Sequence, residues 1–215
     1  MSRNKYPEET HQLIIHVSME LFLTKGYEKT SLQDIIDNLG GLTKGAIYHH
    51  FKSKEDILIA VVNHICNDNS SKMGAIRDNK TLSGKEKLEK MFSDSLSNPN
   101  QKNLFSVTPN LLDNPTFLTY YIKVVTQDTI PNYVVPVIRE GVKDGSIKTD
   151  YPDELADMIM VLSDIWLNPL IFKVSEEQLI RKAKLLDQVL KTYGIHIFTD
   201  SSINKLSYFR TISTK

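Results

Sequence analysis

Apolar side chains recur every three or four residues along most of the chain, the spacing that gathers them on one side of a 3.6-residue helix. Leu13, Ile14, Val17, Leu21 and Phe22 form the first such stripe, which stops at Gly26. Thr30 and Ser31 then precede Leu32, Ile35, Ile36 and Leu39, with Gln33 and Asp34 three residues beyond the two hydroxyls, as in an N-cap with a capping box. The second helix so opened ends at Gly40-Gly41, the residues that adopt the left-handed closing conformation at least cost. Thr43 caps a third helix through Ala46, Ile47, Tyr48 and Phe51; Ser53, with Asp56 three residues on, opens a fourth whose face is Ile57, Leu58, Val61, Val62 and Ile65. That pattern dissolves at Asn67-Asp68-Asn69-Ser70-Ser71, so the polar run to Gly84 is expected as a frayed helix end or a loop.

Further on, Lys85 to Leu96 and Asn103 to Leu112 carry helical spacing, with Pro99 and Pro109 as caps or kinks. Asn114-Pro115 opens a helix with Phe117, Leu118, Tyr121, Ile122 and Val125 on its stripe, and Pro131 and Pro136 interrupt before Val137 to Val142. No stretch alternates apolar and polar for long enough to predict a sheet, so the chain is read as all-α. Three parts are expected: a three-helix head over 1-55, a larger helical domain over 56-198 and a polar tail over 199-215, which is either disordered or docks Ile203, Leu206 and Phe209 as a short amphipathic helix.

Leu155, Ile159, Leu162 and Trp166 step by four, three and four, and Leu179, Ala183, Leu186, Leu190 and Tyr193 by four, three, four and three. Such steps make a seam between nearly parallel or antiparallel helices. The two stripes either close the chain's own core or form a two-fold four-helix interface between two copies, and the dimer interface is the favoured reading.

Composition narrows the classes. At 215 residues, 40% hydrophobic and 24% charged, the chain holds enough apolar surface for a sizeable core, and its formal net charge of zero announces neither a nucleic acid nor a cationic ligand by global field. The opening MSRNKYPEETHQ lacks the layout of a signal peptide. The longest mostly apolar run, Val161 to Phe172, is shorter than a membrane span and contains Asp164, so a cytoplasmic protein without a membrane partner is expected. One cysteine, Cys66, excludes an internal disulfide framework.

Charge placement matters more than its sum. Residues 1 to 60 hold seven Lys/Arg against eight Asp/Glu, yet from Leu42 to Lys54 there are Lys44, Lys52 and Lys54 and no acid until Glu55. Three short helices with a Gly turn before the third make a helix-turn-helix, whose last helix can enter a DNA major groove. Gly45 in a first helical turn costs about 1 kcal/mol against Ala, a cost that makes sense where backbone must approach a sugar-phosphate strand. Thr43, Lys44, Tyr48 and His50 can donate to phosphates, and Lys44, Ala46 and His49 can meet base edges. Lys54, at the start of the fourth helix, marks a second phosphate site. Adjacent helical positions point about 100° apart, so His49 and His50 do not ligate one metal together; no nucleophile or orienting acid accompanies them, and neither an enzyme nor a cofactor is expected. The competing reading is a helical protein-interaction adaptor that uses the basic face Lys44 to Lys54.

The stretch LFLTKGYEKTSLQDIIDNLGGLTKGAIYHHFKSKEDIL, residues 21 to 58, closely resembles the N-terminal DNA-binding domain of the TetR family of bacterial transcriptional regulators. The resemblance lies in G-Y-x-x-T-S-x-x-x-I before the second helix, G-x-[ST]-K-G-x-[IL]-Y-x-H-F over the third, and K-S-K-E into the fourth. It implies an all-α homodimer that binds a double-stranded DNA operator, usually as a repressor, and releases it when a small molecule enters the C-terminal domain. It also implies DNA contacts at Thr43, Lys44, Gly45, Ala46, Tyr48, His49, His50 and Lys54, with Ser31 a weaker addition. Ala46 departs from the family pattern, which frequently has a hydroxyl or amide there. Met91, Phe105, Phe117, Tyr121, Met158 and Trp166, apolar or aromatic and spread over several helices, are candidates to line an effector pocket for a hydrophobic or neutral ligand, against the favoured reading of each as plain core packing.

Overall fold

A computed structural model describes residues 7–98 and 100–213, without the side chains of 67–69, 101, 102 and 207–213. Residues 1–6, Pro99 and the Phe209 side chain, to which expectations were attached, lie outside the described residues. Eleven α-helices follow one another among those residues, with no strand: α1 Pro7–Lys25, α2 Leu32–Asp37, α3 Lys44–His50, α4 Lys54–Arg77, α5 Gly84–Ser97, α6 Gln101–Val107, α7 Pro115–Val124, α8 Val135–Asp144, α9 Pro152–Val161, α10 Glu176–Lys191 and α11 Asp200–Ser213. By internal contacts the chain forms two units, one holding the residues up to Asn67 with Asn103–Pro109, the other Asp68–Lys102 and the residues from Asn110 on. The division therefore falls within α4, twelve residues beyond the boundary expected at residue 55.

In the first unit, Ile14, Phe22, Ile35, Ile47, Ile57, Leu58 and Val61 are all but sealed from solvent. The buried side of α1 is Thr10, Ile14, Ile15, Ser18 and Phe22, whereas Leu13 is 44% exposed. The apolar pattern places this face about one residue off, because it cannot credit the buried Ser18. The α4 backbone runs straight through the polar run after Ile65 and ends only at Arg77, so neither a frayed end nor a loop stands at residues 67–71.

The second unit is organised by a close crossing of α5 and α8. A Cβ on Gly84 would lie 2.1 Å from the Gly141 amide nitrogen, and one on Gly141 would lie 2.5 Å from Ile147 Cδ1. Gly84 thus lets the backbones meet where any side chain would hold them apart, and Gly141 leaves room for the Ile147 side chain. The contact is tied by polar groups: Gly84 N–H donates to Asp144 (2.8 Å), Lys85 N–H donates to the Ser146 hydroxyl (3.1 Å), and the fully buried Lys87 ammonium meets Glu140 (2.5 Å). Ser83 and Ser175, each with a reciprocal partner at the third helical position, box the starts of α5 and α10. Between α7 and α8 the chain winds in wider π-helical turns over Val125–Val134, around Pro131, and α9 continues as a π-helical turn over Leu162–Trp166.

The seam residues are placed differently from the interface expected of them. Leu155, Ile159, Leu179, Ala183, Leu186 and Leu190 are buried in the second unit's own core with Leu88, Ile138 and Ile195, while Leu162, Trp166 and Tyr193 pack half-buried against it. Six of the nine stripe residues are thus core side chains with no surface left for a second copy, and only Leu162, Trp166 and Tyr193 keep area for one. The outer sides of α9 and α10 carry other apolar groups, Val161, Leu185 and Val189. In the tail, α11 packs on α5 and α10, with Ile203 and Ser202 buried and Leu206 against the core.

Candidate nucleic-acid interface

Local chemistry builds the turn. Ser31 caps α2: its hydroxyl accepts from Asp34 N–H (3.1 Å), and its own N–H donates to the Asp34 carboxylate (2.7 Å). Lys25 adds an ion pair at 2.6 Å, and Lys25 and Ser31 together hold the Asp34 carboxyl well below the usual range. Gly40 and Gly41, at φ +61° and +97°, carry the chain out of α2; neither Cβ would meet an atom within 4 Å, so backbone conformation and not space selects glycine there. Buried Leu39 pins the turn inward, and Thr43 starts α3 by accepting from Ala46 N–H (3.3 Å).

On α3 only Ile47 is buried; it anchors the helix and turns the opposite side to solvent. Thr43, Lys44, Gly45, Tyr48 and His49 are exposed, with Tyr48 at 46% and the Lys44 ammonium 5.8 Å from its ring centre. Gly45 has an ordinary helical backbone, and its missing Cβ would find nothing nearer than Thr43 Oγ1 at 3.8 Å. Nothing inside the protein therefore asks for glycine at this position. Ala46 is half-buried.

Two of the expected contact residues turn inward. The Lys54 ammonium donates to the carbonyls of Tyr27 (3.0 Å) and Thr30 (3.1 Å) and lies 4.0 Å from the Tyr27 ring centre. It fastens the α1–α2 connection to the start of α4 and is not held out toward a flanking phosphate. His50 is half-buried between His49 (5.2 Å between ring centres) and His11 on α1 (5.9 Å), and burial together with those two rings holds its imidazole below the usual range. His11 in turn stacks on Phe51 at 4.8 Å, a junction of α1 with the end of α3 that no spacing in the sequence announces. Ser31 is exposed, but its hydroxyl is engaged by Asp34. Among the described residues, no three His, Cys, Asp or Glu side chains converge on a metal position, and no helix is long and apolar enough to cross a membrane.

The expected pocket residues disperse. Phe105 falls in the first unit. Phe117 is buried, its ring centre 5.9 Å from that of Tyr120. Met91 lines a cleft of about 280 Å³ with Met73 and Ile76, rimmed by Lys72, Asp94 and Ser95. Tyr121, Met158 and Trp166 are half-buried against the second unit's core. The Lys182 ammonium covers Trp166 at 4.6 Å and Phe172 at 4.3 Å and donates to the Trp166 carbonyl. Asp164, visible in the sequence only as a charge interrupting an apolar run, belongs to the same region: the Tyr121 hydroxyl (3.2 Å) and the Asn168 amide (3.1 Å) both donate to its backbone carbonyl.

Comparison with known proteins agrees with this architecture. The family model described as bacterial regulatory proteins, tetR family, matches residues 14–61, and that of the tetracyclin repressor-like C-terminal domain matches 108–189; together they span more than half of the chain. An uncharacterized HTH-type transcriptional regulator of Bacillus subtilis, YerO, is 28% identical over 173 residues, which are 76% of this chain; the chain spans 57% of that relative's length. The HTH-type transcriptional repressor KstR2 of Mycolicibacterium smegmatis is 27% identical over 69% of this chain and 73% of its own. A solved TetR-family transcriptional regulator from Pectobacterium atrosepticum has the same fold, with TM-score 0.63 at 21% identity over 89% of this chain and 97% of that one. With a helix-turn-helix head, an all-helical second unit and both halves of the family pattern matched in order, the chain belongs to the TetR family of transcriptional regulators.

Proposed function

We propose that the protein is a cytoplasmic, homodimeric repressor that binds a near-palindromic DNA operator through α3 and leaves it when a small molecule binds the second unit. Gly45 carries the DNA reading: it is a glycine that neither backbone angle nor internal packing requires, set among the exposed Thr43, Lys44, Tyr48 and His49. Its bare backbone suits close approach by an outside strand. The name of the KstR2 relative, a transcriptional repressor, supports repression. The exposed Val161, Leu185 and Val189 suit a partner copy, because they remain open when the seam is sealed within one chain.

Gly45→Ala separates folding from recognition. In a helix interior the change removes a penalty of about 1 kcal/mol, so the variant should unfold at equal or higher urea concentration. Its added methyl should nevertheless weaken operator binding at least tenfold in fluorescence anisotropy, as should Lys44→Ala and Tyr48→Ala. Full operator affinity in all three would overturn α3 as the DNA-contacting element.

A further inference from the structure

Three imidazoles stand in a row where α1 meets the end of α3. His49 is exposed at the outer end, half-buried His50 lies 5.2 Å from it between ring centres, and His11 on α1 follows at 5.9 Å. The row ends on buried Phe51, against which His11 stacks at 4.8 Å with the two planes 19° apart. The His11 Nδ1 is sealed from solvent and meets no hydrogen-bond partner among the described residues. Any aromatic ring would fill the place beside Phe51, so packing alone does not ask for a series of titratable ones.

The charge around the row offers it no counter-ion. The acid on α1 that bears on His50 is Glu8, which is exposed and already accepts from the Gln12 amide (3.1 Å). On α3 itself the Lys44 ammonium lies toward the Tyr48 ring. Past the end of α3, Lys52 is exposed, Lys54 is held on the carbonyls of Tyr27 and Thr30, Glu55 accepts from the Tyr27 hydroxyl (3.2 Å), and the Asp56 carboxylate takes the Lys52 N–H (3.0 Å). A proton on the row therefore meets partial burial and two neighbouring imidazoles, and these hold His50 below its ordinary range. Yet His49 and His50 occupy the last turn of α3, where the negative end of the helix dipole favours a cation. What the row lacks is an anion close by, and a DNA phosphate against α3 would supply one.

We infer that the His11–His50–His49 row is a proton-linked part of the DNA-contacting surface: His50 is neutral on the free head and takes up a proton when a backbone phosphate comes against the end of α3. His49 and His11 are positioning residues that keep the proton off until the phosphate arrives. This rests on the reading of α3 as the DNA-contacting helix and adds to it a dependence on pH. The free head has the lower His50 pKa and the complex the higher, so DNA affinity rises as pH falls through the bound value and levels off below the free value.

The probe is a fluorescent duplex that the full-length protein itself selects from a random-sequence pool, titrated at pH 8 and pH 6 at one ionic strength. The parent should bind at least about tenfold more tightly at pH 6, and calorimetry in two buffers of different ionisation heat should count roughly one proton taken up per head. His50→Gln, which can donate a hydrogen bond but takes no proton, should bind equally at both pH values. His11→Phe keeps a ring on Phe51 and should still bind, but with a smaller gain toward pH 6, because His50 then protonates more readily on the free head. His16→Gln, which alters the separate His16–His64 pair (4.9 Å), should keep the parent's gain. Equal parent affinity at both pH values, a gain that survives in His50→Gln, an undiminished gain in His11→Phe, or a gain lost in His16→Gln overturns the inference. If His50→Gln does not fold, as judged by circular dichroism, the proton count on the parent decides. Failure to select any duplex removes the DNA reading and this inference with it, whereas a selected duplex bound without pH dependence removes the proton link alone.

Discussion

Lys54 and Gly45 show how far residue type can mislead or inform about a surface. Lys54 has the composition of a phosphate contact, yet it donates to two backbone carbonyls and covers the Tyr27 ring. Lys54→Ala should therefore lower the stability of the first unit, by about 2 kcal/mol in urea unfolding, where a purely DNA-facing lysine would leave it unchanged. Gly45 carries its information in the absence of any internal reason for glycine. Asp164 has a residue-scale consequence of its own. Its folded-state pKa of about 7 lies above the ordinary 3.8, so its proton stabilises the folded chain; the contribution is whole below about 4 and is lost as pH rises through about 7. Asp164→Asn should accordingly melt a few degrees above the parent at pH 8, with the difference shrinking toward pH 5 in thermal unfolding followed by circular dichroism.

At the scale of elements, helix starts were legible and helix faces less so. Ser31 with Asp34 caps α2 as their spacing predicts, and Thr43 caps α3, because capping acts over three or four residues and needs no tertiary partner. The interior of α4 was not legible: the helix continues through the polar residues because Met73 and Ile76, beyond them, pack on the second unit's core. The α5–α8 crossing was equally hidden, since Gly84 and Gly141 stand 57 positions apart and neither has an unusual backbone. Gly84→Ala should cost about 3 kcal/mol or more in urea unfolding, because the new methyl overlaps backbone and not a movable side chain.

For the whole molecule, a formal charge of zero predicts no long-range attraction to DNA, so affinity must come from local contacts. Operator affinity should then fall steeply with salt, by roughly a thousandfold between 50 and 200 mM, as six or so phosphate contacts across two heads release counterions. A flat response would remove the phosphate-contact reading. The sequence by itself determined the helical class and the caps and glycine turn of the helix-turn-helix, because these depend on interactions between residues close along the chain. Only the tertiary structure decided that most of the seam residues of α9 and α10 lie within one chain's core, that Lys54 points inward, and that the half-buried Asp164 stands without an ion pair among the described residues. The physical reason is common to all three: periodicity says which side of a helix is apolar or charged, but what that side meets is set by segments distant in sequence.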